Sequence, residues 1–138
     1  MTEKENLTPA QVLLVEDNAD DVELTLEALK DSKIRMNVHV VSDGLAAMKF
    51  LHCEEEYADK PRPDLVLLDL NLPLKDGRDV LKEIREDPEL TDLPVVVLTT
   101  SQSEEDICRI YKMHANCYIS KPVDFIQFSE IVKQIEGF

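Results

Sequence analysis

An α/β fold with a parallel sheet covered by helices on both faces follows from three features of this 138-residue chain. Short apolar runs and amphipathic stretches alternate five times from end to end. That alternation is the pattern of strand–helix units joined by right-handed crossovers. The run Val95–Leu98 is rich in β-branched valine and apolar throughout, as suits a strand covered on both faces. The intervening loops are short, and there is no repeat, linker or low-complexity tract to divide the chain.

Gln11–Val15 reads as the first strand. Asp17-Asn18 then supplies capping side chains for a helix over about 20–31, with Val22, Leu26 and Leu29 on its inward face. Val38-His39-Val40-Val41 is the second strand, and Asp43-Gly44 turns it into a helix carrying Leu45, Ala47, Met48 and Leu51 that ends among 54–56. Pro61 and Pro63 break the chain before a third strand, 65–70. After the Lys75-Asp76-Gly77 turn, Val80, Leu81 and Ile84 mark a helix stopped near Pro88. Pro94 introduces the fourth strand, 95–98. Ser101 and Ser103, backed by Glu104 and Glu105, read as the capped start of a helix whose stripe is Ile107, Ile110, Tyr111 and His114. Cys117–Ser120 is the fifth strand. The last helix, 124–136, places Phe125, Phe128, Val132 and Ile135 on one side.

Composition narrows the function. A net charge of -14, with no cluster of Lys or Arg to neutralise phosphates, argues against nucleic-acid binding. Residues 1–10 read as a polar, flexible segment with no apolar signal stretch, and no run approaches the length of a membrane span. Cys53, Cys108 and Cys117 are odd in number and in no CxxC spacing, so reduced, partly buried thiols in cytoplasm are expected. His39, His52 and His114 lack ligand spacing to one another, and Gly44, Gly77 and Gly137 form no nucleotide-cradling loop.

The chemistry gathers at strand ends. Asp69 closes the third strand, Glu16-Asp17 follows the first, and Lys121-Pro122 follows the fifth. In a parallel sheet these ends border one crevice, where ligands of open α/β folds bind. Three carboxylates crowded there repel one another unless a cation sits among them, so the sequence predicts a hard-metal site with an aspartate beside it. Each residue also has an ordinary role open to it: a strand-end Asp caps turns, and Asp17-Asn18 caps a helix.

Glu16-Asp17, Asp69 with Asn71 and Pro73, Gly77, Thr99 after Pro94, and Lys121-Pro122 occur in the order of a receiver domain. Over 11–137 the chain resembles the receiver domains of two-component response regulators. The resemblance implies a flavodoxin-like sheet of strand order 2-1-3-4-5 with five helices, and a receiver domain over 11–138. It implies that Asp69 accepts a phosphoryl group, and that Mg²⁺ is held by Asp17, Asp69 and the Asn71 carbonyl, with Glu16 acting through water. It further implies a cis Lys121–Pro122 bond aiming the ammonium at the phosphoryl group. Thr99 and Tyr118 are then the switch pair; Thr100 adjoins Thr99, and spacing to Pro94 selects Thr99.

Asp43-Gly44-Leu45-Ala46-Ala47-Met48 and Asn71-Leu72-Pro73-Leu74-Lys75-Asp76-Gly77-Arg78 are similar to single-domain regulators that partner phytochrome-type sensor histidine kinases. Members of that group often continue in an aromatic tail, which marks Phe138 as a candidate truncation point. Some pair through the face of the fourth helix, fifth strand and fifth helix, which Ile107, Tyr111, Phe125 and Phe128 would suit, although at least half of these are expected to fill the core instead. The expected activity is Mg²⁺-dependent phosphorylation and dephosphorylation of the chain's own aspartate, not turnover as an ordinary enzyme. A relay intermediate that passes its phosphoryl group to a second histidine, a phosphate-independent interaction module and a flavodoxin-like cofactor carrier remain as alternatives.

Overall fold

The computed structural model describes residues 9–31, 34–100 and 104–134. Most of the expected N-terminal segment, together with Ser101, Ser103 and Ile135, lies outside them. Five strands, β1 (Ala10–Val15), β2 (Met36–Val41), β3 (Leu65–Asp69), β4 (Val95–Thr99) and β5 (Cys117–Ser120), form one all-parallel sheet in the order β2-β1-β3-β4-β5. The helices are α1 (Ala19–Lys30), α2 (Gly44–Leu51), α3 (Gly77–Glu86), α4 (Glu104–Lys112) and α5 (Phe125–Gln134). The expected fold class and strand order are those observed.

Alternation along the strands divides the core in two. Leu13, Val15, Val66, Leu68, Val95 and Val97 pack with Met48, Phe50, Val80, Ile84 and Ile110, which places α2, α3 and α4 on one face. Val12, Leu14, Leu65, Leu67, Val96, Leu98 and Ile119 pack with Ala28, Leu29, Phe128 and Val132, which places α1 and α5 on the other. Both faces of the three central strands are therefore dry, and their near-continuous apolar sequence follows.

Polar side chains fix where the helices begin. Asn18 Oδ1 accepts the Asp21 N–H at 3.0 Å and caps α1; Asp43 Oδ1 accepts the Ala46 N–H at 2.7 Å and caps α2. Asp76 Oδ1 accepts the Arg78 N–H at 2.8 Å at the start of α3. Gly77 is needed there for close approach: a Cβ at this position would run into the Asp69 carbonyl and the Leu70 backbone. The Gly77 N–H instead donates to the Leu70 carbonyl at 2.9 Å, tying α3 to the end of β3.

Several expectations are corrected. The α2 helix stops at Leu51 rather than among 54–56, because Cys53 and Glu55 take left-handed backbone (φ 55° and 53°) around a short 3-10 turn, Glu55–Tyr57. His114 lies beyond α4, also left-handed (φ 67°), and it and Tyr111 are exposed; of the expected stripe Ile110 is buried and Ile107 half-buried. Leu45 and Phe125 face solvent, Cys53 is exposed, and Val22 and Leu26 are only half-buried while Thr25 and Ala28 take the core positions of α1.

Arg85, at the end of α3, fastens the edge of the sheet opposite the strand ends that carry Asp69 and Lys121. Its guanidinium donates to the carbonyls of His114 (2.8 Å), Thr91 (3.1 Å) and Leu93 (2.7 Å) and to Asn116 Oδ1 (2.9 Å). Asn116 Oδ1 also accepts the Val95 N–H at 2.8 Å, so one side-chain network holds the entrances of β4 and β5. Removing it in Arg85→Ala is expected to cost about 1–3 kcal/mol in urea unfolding, with Arg85→Lys, which lacks the planar fork, recovering only part. An unchanged midpoint and slope in Arg85→Ala would show that the network carries no stability.

Candidate functional site

Strand register assembles the site before side chains are considered. Val15 pairs with Leu68, so Glu16 and Asp69 emerge next to each other from β1 and β3. Thr99 pairs with Ser120, which carries Lys121 one residue past the same edge. The Lys121 N–H donates to the Thr99 carbonyl at 2.8 Å, and the Lys121–Pro122 bond is cis, as the resemblance implies.

The Lys121 ammonium is enclosed by acids. Its Nζ lies 2.6 Å from Glu16 Oε1, 3.0 Å from Asp69 Oδ2 and 3.2 Å from Asp21 Oδ2. The contact with Glu16 is an ion pair off the line of a hydrogen bond, and Glu16 Oε2 accepts the Asn18 N–H at 3.3 Å. Asp69 Oδ1 accepts the Asn71 N–H at 3.0 Å, which leaves the Asp69 carboxylate gripped from both sides. Glu16 is 1% exposed and Asp69 6%, so their charges are held largely out of water.

One oxygen from each of Glu16, Asp17 and Asp69 lies within 4.8 Å of the others. With Asp21 included, four carboxylates gather at this edge around one ammonium, three of them in contact with it. Such an all-oxygen donor set with uncompensated negative charge suits a hard divalent cation. Burial is the largest influence on Glu16 and pushes its pKa up from 4.5 to about 7; Lys121 pulls it down and Asp69 pushes it further up. Burial works against the Lys121 ammonium, but its close pairing with Glu16 and Asp69 outweighs it, and the pKa ends above its ordinary value. The ammonium is a permanent charge at neutral pH.

Asp17 is exposed at the mouth of the cluster, and Asn18, not Asp17, caps α1. Asn71 is exposed and joins Thr99 in lining a cavity of about 120 Å³ between α3 and α4. Thr99 is half-buried and Thr100 exposed. Tyr118 is half-buried on β5 and stands edge-on to Tyr111 of α4, ring centroids 6.1 Å apart. Glu16, Asp17, Asp69 and Lys121 thus come together, and Tyr118 belongs to the neighbouring face. Asp21 escaped the sequence reading. No signal in the sequence singles it out from Asp20 in the same first turn of α1.

The loop between β3 and α3, which carries Asn71, is braced from outside. The Gly44 N–H donates to the Pro73 carbonyl at 3.5 Å, and a Cβ on Gly44 would meet the Lys75 carbonyl. Lys75 in turn forms an ion pair with Glu83 of α3.

Residues 12–133 match the family model of the response regulator receiver domain. Response regulator Rcp1 of Synechocystis sp. is 48% identical over 134 residues, covering 97% of this chain and 91% of Rcp1. The crystal structure of its Mn²⁺-bound form superposes with a TM-score of 0.76 at 49% identity, covering 94% of each chain. That of a phosphorylated cyanobacterial phytochrome response regulator, RcpA, gives 0.78 at 52% identity, covering 95% of this chain and 94% of that one. Among the described residues no helix is long and apolar enough to cross a membrane.

The raised pKa of Glu16 fixes a pH dependence of stability. The folded chain holds a proton on Glu16 between about pH 4.5 and 7 that the unfolded chain has released, so this contribution is present at low pH and is lost as pH rises through about 7. In chelator-treated protein, wild type is expected to lose about 1–3 kcal/mol relative to Glu16→Gln between about pH 5 and 8 in urea unfolding. Parallel profiles would overturn this account of the buried carboxyl.

Proposed function

The chain belongs to the response regulator receiver domain family, and from that premise we propose that it accepts a phosphoryl group on Asp69 from a phytochrome-type sensor histidine kinase. The observation that carries the reading is the Lys121 ammonium held between Glu16 and Asp69 with Asp17 alongside. A carboxylate oxygen of Asp69 attacks phosphorus, a P–O bond forms, and the bond to the kinase imidazole nitrogen breaks with its electron pair retained by the imidazole. Catalysis of this step is mainly positioning and electrostatics.

Each side chain has a part in that. The Asn71 N–H orients the Asp69 carboxylate, and Lys121 offers positive charge to the phosphoryl oxygens. Asp17 and Asp69, with Glu16 beside them, would hold Mg²⁺ together with the Asn71 carbonyl that the family resemblance implies, and the ion would supply further positive charge to the transferring group. Glu16 and Asp69 are too buried to be screened by water, so the added charge acts at low effective dielectric.

Output runs through the surface next door. The Thr99 hydroxyl binds a phosphoryl oxygen and draws the end of β4 inward; Tyr118 then leaves its edge-on contact with Tyr111, and the face of α4, β5 and α5 changes. Tyr111, Phe125 and Ile126 are 47%, 39% and 57% exposed on these elements and provide apolar surface for a partner or a second copy.

Incubation with Mg²⁺ and acetyl phosphate followed by intact-mass measurement tests the reading. One phosphoryl mass is expected, absent with chelator and absent in Asp69→Asn. Failure of wild type to gain mass from either a small donor or a phosphorylated kinase would remove the phosphoacceptor role.

A further inference from the structure

The acid that the sequence reading missed has a role of its own. An ammonium has three N–H donors. At Lys121 three carboxylates compete for them, at 2.6, 3.0 and 3.2 Å. Two of the three belong to the site just described; Asp21, in the first turn of α1, does not. Its side chain is 34% exposed, against 0% for Glu16 and 9% for Asp69, and its contact is the longest. Glu16 and Asp69 are fixed by strand register, whereas Asp21 reaches in from a helix.

Asp21 is also set in place by its backbone: its own N–H is the one bonded to Asn18 Oδ1. The cap that starts α1 thereby fixes which carboxylate of the first turn faces Lys121. Asp20, its neighbour in the same turn, is exposed and makes no described contact with the ammonium.

We infer that Asp21 is a positioning residue for Lys121: a resting counter-charge that holds the ammonium toward α1 and opposes its engagement with a phosphoryl group on Asp69. The inference rests on the phosphoacceptor reading. An anion arriving at Asp69 meets an ammonium whose field is already shared among three carboxylates, and also meets the negative charge of Asp21 directly. Neutralising Asp21 relieves both effects without touching Glu16, Asp17 or Asp69.

The test is the affinity of the whole chain for beryllium trifluoride, a stable mimic of a phosphoryl group on a carboxylate, measured with Mg²⁺ by fluorine NMR. Asp21→Asn is expected to bind about two- to fivefold more tightly than wild type, the range of one partly exposed ion pair. Asp21→Glu, which keeps the charge, is expected to return toward wild type. Asp20→Asn removes an equal charge from the same turn and controls for net charge and for the N-terminal end of α1. Equal tightening in Asp20→Asn and Asp21→Asn, or no tightening in Asp21→Asn, overturns the inference while leaving the phosphoacceptor reading intact. Wild type that neither binds the mimic nor gains a phosphoryl mass overturns both.

Discussion

One buried ammonium among carboxylates governs this molecule. Lys121 is 10% exposed and cannot rely on water for its charge, so the acids around it are a condition of its burial. Those acids in turn outnumber it, which leaves the edge of the sheet short of positive charge. The same imbalance suits the region to a hard divalent cation. The burial of Lys121 and the charge of the crevice are thus set by a single electrostatic arrangement. Parallel strands of fixed register make it, because only that arrangement brings the ends of β1, β3 and β5 to one side.

The central strands were readable because burial on both faces leaves nothing polar in them: Leu65 to Leu68 and Val95 to Leu98 are all fully buried. The edge strand was read short. Met36 and Asn37 extend β2 backwards by pairing with Ala10 and Gln11, but an edge strand is only partly covered and its composition is mixed. Helix ends were harder still. Cys53, Glu55, Leu74 and His114 all take positive φ without being glycine, so the usual marker of a chain reversal is missing at each.

Site residues at strand termini were legible because their positions follow from the strands. Glu16, Asp69 and Lys121 needed only the topology to meet. Asp21 had no such guarantee: acids are common in the first turn of a helix, where they favour the N-terminal dipole, and nothing in the chain distinguishes Asp21 from Asp20. Which of the two turns inward depends on the capping geometry of Asn18, a detail of backbone angle that residue type does not carry. The Arg85 network was unreadable for a similar reason, since its partners are mostly backbone carbonyls.

That network has a mechanical meaning. It rivets the entry side of β4 and β5 to the tail of α3, while the exit side of the same strands carries Thr99, Ser120 and Lys121. A plank bolted down at one end flexes at the other. Any displacement begun at the exit side is denied the easy escape of sliding the two strands bodily, and must spend itself in the loops and helices that follow them.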